Sequence, residues 1–350
     1  MIDIKNLTLE ELEKIFSTFS LERYHASQVF SWVYQKEIQD FSLMTDLCKD
    51  LRKLLEEKFY FSKIILENRK TSRDGTEKFL LQLFDGNFIE TVVIPTEERL
   101  TICISTQVGC KYRCLFCASG RLGFKRNLTT SEIINQFLFA KKELKQNFTN
   151  IVFMGIGEPL DNYDNLLSAI RILNSPKGIN FGARRMTIST SGIIPAIEKL
   201  QKENLQIELS ISLHAPNDKI RNQLMGINKI YPLEKLIKSC KKYIAKTNRA
   251  ITFEYILFHN INSSVLCAQE LANLLRGLNC KVNIIPYNEI KELGYQSPRK
   301  LEMLLFYQTL KKLKISAIIR RPRGKDIEAA CGQLRLKKIQ NSNIKNQNGS

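Results

Sequence analysis

Across 350 residues the sequence has no apolar run long enough to span a bilayer. Runs such as Ile151–Met154 fall far short of the ~18–20 residues that a membrane helix needs. The first residues, MIDIKNLTLEELEK, carry acids and no apolar signal core, so no export signal is read and a cytoplasmic location is expected. No segment recurs at a solenoid period, which sets aside stacked-repeat architectures. Nor do the cysteines form an even set; nine of them in a chain read as cytosolic argue against a disulfide framework. Wholesale disorder is excluded as well, because 43% hydrophobic and 25% charged residues are ordinary for a soluble globular protein.

Acidic residues are also scarce: 35 Asp plus Glu face 53 Lys plus Arg, a formal charge of +18. The excess is uneven. Residues 1–60 hold 8 basic and 11 acidic residues, whereas Pro298–Lys338 holds 12 basic and 3 acidic, half of the net charge. A basic surface attracts polyanions by neutralising phosphates and releasing counterions, so nucleic acid leads the classes of partner. No amphipathic anchor accompanies the charge to suggest a lipid surface.

Residues 1–60 read as a small helical domain. Leu7, Leu9, Leu12, Ile15 and Phe16 recur at helical spacing after Thr8, a cap with Glu11 three residues on. Further helices are expected around Ala26–Gln35 and Thr45–Lys58. Residues 61–99 read as a short β-rich connecting segment, KFLLQLF and NFIETVVIP flanking an Asp85-Gly86 turn. From residue 100 to about 336 strands and helices alternate. The strand candidates are TICIST, NIVFMG, RRMTIST, QIELSISL, ITFEYILF, KVNIIPY and SAIIRR. Roughly six βα units imply a parallel sheet in an α/β fold, a partial (β/α)6 barrel with functional residues at the strand ends. Residues 337–350 are polar and are expected to be a disordered tail.

Cys48, Cys240, Cys267 and Cys280 sit among apolar neighbours and read as buried structural thiols. Cys110, Cys114 and Cys117 differ, forming C-x₃-C-x₂-C directly after a strand. Three thiolates on one loop can hold structural zinc, with Cys103 as a fourth ligand, or an iron–sulfur cluster with one open iron. The loop's place after a barrel strand favours the catalytic cluster, and its spacing resembles the signature loop of the radical S-adenosylmethionine (SAM) superfamily. One strand later Gly155-Ile156-Gly157-Glu158-Pro159 resembles that superfamily's glycine-rich SAM site, though alone it would read as a tight turn. Small polar residues end the strands that follow: Ser189, then Ser212-Leu213-His214, then Asn288.

Six segments in order make the resemblance specific: DGTEKFLLQLFDGNFIETVVIP, STQVGCKYRCLFCASGRLGFKRNL, FMGIGEPLDNY, STSGIIPAIEKL, SISLHAPND and RGKDIEAACGQL. Over residues 7 to about 336 the chain resembles the RlmN family, dual-specificity RNA methyltransferases that methylate adenine C2. The resemblance implies a [4Fe–4S] cluster on Cys110, Cys114 and Cys117, and SAM contacts from Gly157, Glu158, Ser189, Ser212, Leu213, His214 and Asn288. It implies that Cys331 carries a methyl group from one SAM, and that a radical made from a second SAM activates this methyl for addition to C2. Cys103 would then release the adduct through a transient disulfide with Cys331, with Glu90 as proton acceptor. Without the resemblance Glu90 would read as an exposed strand glutamate, and Cys331 as a buried thiol. Implied partners are 23S rRNA (adenine 2503), tRNA (adenine 37) and a flavodoxin-type reductant, with the enzyme a monomer.

Two rivals stand beside this reading. The Cfr-type methyltransferases share the cysteines but modify adenine C8; here GEPL, STSG and RPRGKDIEAACGQL fall on the RlmN side. Ile156 replaces a common methionine and Lys111-Tyr112-Arg113 is unusual within the cysteine loop. A zinc-stabilised RNA-binding protein would explain the charge and the cysteine loop, but not Cys103, Cys331 or GIGEP.

Overall fold

Short apolar strands alternate with amphipathic helices to build one large sheet. The computed structural model describes residues 1–121 and 123–334. At the N-terminus β1 (Ile2–Asp3) pairs in parallel with β2 (Phe59–Tyr60), closing off a helical module of α1 (Leu9–Thr18), α2 (Arg23–Tyr34) and α3 (Lys49–Lys58). Thr8 caps α1 reciprocally: its hydroxyl accepts from the Glu11 N–H, and the Glu11 carboxylate accepts from the Thr8 N–H at 2.8 Å. The third helix starts at Lys49, four residues later than its pattern suggested, because Cys48 adopts the extended N-cap conformation. Cys48 is accordingly exposed, not the buried thiol expected of it, and Cys280 is half-buried; Cys240 and Cys267 are buried.

Strands β3 (Ile65–Thr71), β4 (Glu77–Gln82) and β5 (Phe88–Pro95) follow as an antiparallel meander. Next come β6 (Leu100–Cys103), the small hairpin of β7 (Gln107–Gly109) and β8 (Phe124–Asn127) with α4 (Ala118–Arg121) between them, and α5 (Thr130–Leu144). The chain continues through β9 (Asn150–Phe153), α6 (Tyr163–Asn174), β10 (Met186–Thr190), α7 (Ile194–Leu200) and β11 (Glu208–Ser212). It ends with α8 (Asp218–Leu224), α9 (Leu233–Thr247), β12 (Ile251–Leu257), α10 (Val265–Leu274), β13 (Cys280–Pro286), α11 (Lys300–Lys312) and β14 (Ala317–Ile319).

The ten-stranded sheet has the order β14-β13-β12-β11-β10-β9-β6-β5-β4-β3. Its first seven strands are parallel, joined by six crossovers that each carry helix, and β14 does not pair with β3. This is a partial (β/α)6 barrel, open at one side. The strands of the 61–99 segment extend the same sheet, since β5 pairs antiparallel with β6. The helical module is fastened to the barrel through Lys5, whose buried ammonium donates to the Ser62 carbonyl at 2.7 Å and to Asn135 of α5 at 2.5 Å. The tail 337–350 lies outside the described residues.

Ladder register divides the barrel residues into two faces, because side chains alternate along a strand. Ile102, Ile151, Ile188, Leu209, Ile211, Phe253 and Val282 face the helices and are fully buried; each such side chain contributes ~1.5–3 kcal/mol. The opposite parity carries Cys103, Val152, Thr187, Ser189, Ser210, Ser212, Glu254 and Asn283. The inner wall of this barrel is therefore polar, which suits a polar ligand and not a filled apolar core.

Candidate active site

The cysteine loop runs from the end of β7 to α4. Gly109 (φ +78°) allows its entry, since a Cβ there would lie 1.7 Å from the Gly123 carbonyl oxygen. Two backbone bonds hold the loop to neighbouring elements: Leu115 N–H donates to the Leu224 carbonyl at 3.0 Å, and Ala118 N–H to that of Gly332 at 2.8 Å. Phe116 beneath it meets the His214 ring edge-on at 5.0 Å. Lys111 pairs with Asp161 at 2.5 Å, tying the loop to the turn after β9.

Burial pushes the Cys110 thiol up to about 12, and raises Cys114 strongly; the neighbouring thiols add to both shifts. Yet Cys110, Cys114 and Cys117 are each only half-buried. Among the described residues no three His, Cys, Asp or Glu side chains converge closely enough to hold a metal ion as they stand. The donor set nevertheless fits an iron–sulfur cluster chemically: three soft sulfur ligands on one loop, with the buried Arg221 guanidinium favouring the Cys114 thiolate.

The turn after β9 lies beside that loop. Gly157 has φ +107°, and a Cβ would meet Gln107 of β7 at 2.6 Å, so this glycine is demanded by the chain's own packing. Glu158 is buried, and both its oxygens accept backbone N–H groups, from Ser191 at 2.7 Å and Leu160 at 3.1 Å. Burial raises its pKa while the Ser191 bonds oppose the rise. The nearby hydroxyls of Ser191 and Thr190 likewise favour the carboxylate form.

Strand ends complete the wall. Ser189 lies opposite Ser210, and Ser212 opposite Glu254, all on the inner face; Ser189 and Ser212 are half-buried. Leu213 is fully buried, and its N–H donates to the Glu254 carbonyl at 3.0 Å. His214 is buried in the left-handed region (φ +55°), its Nδ1 accepting from the Ile256 N–H at 3.1 Å. Burial, and then Arg221, lower its pKa to about 3, so the ring is neutral. Asn288 donates to the Cys331 carbonyl at 3.5 Å, while its own buried Oδ1 has no hydrogen-bond partner. An unsatisfied buried acceptor costs ~1–3 kcal/mol, which a donor on a bound ligand would relieve.

The loop that bears Cys331 reaches Cys103. Cys103, on the inner face of β6, packs in one cluster with Val92, Ile156, Ala329 and Leu334. Burial pushes its thiol up to about 12, with Cys331 the next contributor. Cys331 is exposed, not buried, yet desolvation lifts it to about 11, with Glu254 adding to the rise. Glu90 is not the exposed glutamate that its strand pattern suggests: it is 4% exposed and paired with Lys78 at 3.1 Å.

Several residues in this site carry no sequence motif. Arg221 is fully buried and donates to the carbonyls of Ser191 (2.7 Å), Ser212 (3.1 Å) and Leu213 (3.1 Å), pinning two strand ends at once. Glu254 and Asn283 share a 2.9 Å hydrogen bond on the inner face. Their signal was the polar half of each strand's alternation.

Comparison with known proteins bears on this arrangement. Residues 104–266 match the radical SAM superfamily, and residues 2–61 match the ribosomal RNA large subunit methyltransferase N-terminal domain. A probable dual-specificity RNA methyltransferase RlmN of Thermoanaerobacter sp. (strain X514) is 46% identical over 338 residues, covering 96% of this chain and 98% of its own. Its counterpart in Staphylococcus aureus (strain JH9) is 44% identical, covering 96% of this chain and 93% of its own. The crystal structure of a radical SAM methyltransferase from Sphaerobacter thermophilus is similar at 42% identity and a TM-score of 0.89, over 96% of this chain and 99% of that one. With both regions matched and near-complete coverage by such relatives, the chain belongs to the RlmN family of dual-specificity RNA methyltransferases, within the radical SAM superfamily.

Proposed function

We propose that this protein methylates C2 of adenine in RNA, at adenine 2503 of 23S rRNA and adenine 37 of tRNA, using two SAM molecules and an external one-electron reductant of the flavodoxin type. The observation that carries the reading is that the Cys331 loop, far from Cys103 in sequence, packs Ala329 and Leu334 against it and brings Cys331 near enough to raise its pKa. With a [4Fe–4S] cluster on Cys110, Cys114 and Cys117 and SAM bound to it, one-electron reduction would supply the radical that activates an unreactive methyl group.

The remaining work falls to the chain's own residues. Gly157, Glu158, Ser189, Ser212, Leu213, His214 and Asn288 surround the space for SAM. Cys331, open to solvent, takes the methyl group: its sulfur forms a bond to the methyl carbon as the sulfonium C–S bond breaks, and the thiol proton leaves. After that carbon has joined C2, the adduct gives up its one unpaired electron to the redox chain that supplied it, and Glu90 accepts the C2 proton. Cys103, having lost its thiol proton, then attacks the Cys331 sulfur and forms a disulfide; the electron pair of the broken S–C bond stays with the methylene carbon, which takes up a proton to become methyl, and thiol reductant returns the disulfide to two thiols.

Two experiments test this. Anaerobically purified protein should be brown with about four irons per chain; colourless protein holding one zinc would refute it. Nucleoside mass spectrometry of rRNA and tRNA should show 2-methyladenine lost on deletion of the gene. Loss of the C8 isomer instead would assign the Cfr-type reaction.

A further inference from the structure

Lys78 is a cation inside the sheet, 6% exposed, on a strand whose segment carries the family resemblance but no role for this residue. A buried ammonium is costly unless paired and hydrogen-bonded. Its Nζ has two partners of different kinds: the Glu90 carboxylate at 3.1 Å, and the backbone carbonyl of Glu328 at 3.0 Å. Glu328 precedes Cys331 by three residues, in the loop that packs Ala329 and Leu334 against Cys103. Register places Lys78 opposite Val92 and Val92 opposite Cys103, with Glu90 two residues from Val92 on the same face. One side chain therefore touches the carboxylate and the backbone of the loop bearing the second thiol, in the cross-strand row that bears the first.

Neutralising Glu90 would need no bond to that loop. We propose that Lys78 is a positioning residue that fixes the Cys331 loop over Cys103 and Glu90, so that two thiols and one carboxylate keep a single relative placement. The inference deepens the proposed chemistry and rests on it for its purpose, but its test needs no turnover.

Three full-length variants serve: Lys78→Met, Lys78→Arg, and Lys78→Met combined with Glu90→Gln, which leaves no unpaired charge behind. Iodoacetamide alkylation of each cysteine is followed by peptide mass spectrometry, on the fraction whose Cys331 is unmodified, together with Cys103–Cys331 disulfide yield under mild oxidation. Cys331 alkylation should rise about tenfold in both Met variants, the order expected for a lost charged hydrogen bond. Disulfide yield should fall with it, Cys240 in the core should stay unreactive, and Lys78→Arg should restore both readouts. Unchanged Cys331 reactivity in the folded double variant would overturn the inference, as would Cys240 rising in step or Lys78→Arg behaving like Lys78→Met. Failure of the wild type to make 2-methyladenine would instead refute the proposed function and leave the alkylation contrast intact.

Discussion

Cys103 and Cys331 differ in exposure, and the difference matches their proposed tasks. In the proposed reaction the exposed thiol would receive the methyl group and meet the base, and the buried one would act only when the adduct is cleaved. Cys331→Ala should abolish RNA methylation, measured as methyl label in RNA, to below a hundredth of wild type. Cys103→Ala should retain the first steps and accumulate a covalent protein–RNA adduct, visible as an RNA-shifted band in a denaturing gel. His214 offers a test at the same scale that depends on no cofactor. Its folded pKa of about 3 lies below the ~6.5 of an unfolded histidine. As pH falls from about 6.5 towards 3, the unfolded chain binds a proton that the folded chain refuses, so stability is lost on the acid side. Between pH 7.5 and 5 this amounts to about 2 kcal/mol. His214→Gln should remove about that much of the difference in urea-unfolding free energy between the two pH values.

Elements were read from the sequence where alternation or helical periodicity was strong. All seven parallel strands, the capped first helix and the Asp85-Gly86 turn are found where their patterns place them. Strand β3 escaped because ILENRKT is an edge strand with mostly exposed side chains, so no apolar face marks it. The β7–β8 hairpin escaped for a similar reason, its strands being three and four residues long. Within the site, motif residues were legible, whereas Arg221 and Lys78 were single cations among 53 until folding brought carbonyls to them. GIGEP was read as room for a ligand, and the fold adds that Gly157 makes room for Gln107. Gly157→Ala combines a left-handed φ with a backbone-adjacent clash, and should lower stability by ~1–3 kcal/mol and weaken SAM binding in equilibrium dialysis. Ile188→Ala, on the helix-facing side of β10, should cost ~2–5 kcal/mol in urea unfolding. That variant should leave the Cys331 alkylation rate unchanged while the protein is folded.

For the whole molecule, charge and chemistry meet at one place. Arg320, Arg321 and Lys325 are exposed on the segment leading into the Cys331 loop, while Arg335, Lys337 and Lys338 lie outside the described residues. The N-terminal module is net acidic, so the charge of +18 is not spread evenly for RNA to find. Replacing Arg321 and Lys325 with Glu should weaken RNA binding about tenfold or more and flatten its dependence on salt, measured by filter binding across salt concentrations. Among the described residues no helix is long and apolar enough to cross a membrane. The most direct test of the proposed chemistry follows one methyl group. Protein reconstituted anaerobically is given SAM with a trideuterated methyl group, and the Cys331 peptide is read by mass spectrometry before and after RNA is added. Label should appear on Cys331 first, then as a dideuterated methylene carbon at adenine C2, with a protium atom restored on transfer. Trideuterated methyl arriving intact in RNA, or a Cys331 that never carries label, would contradict it.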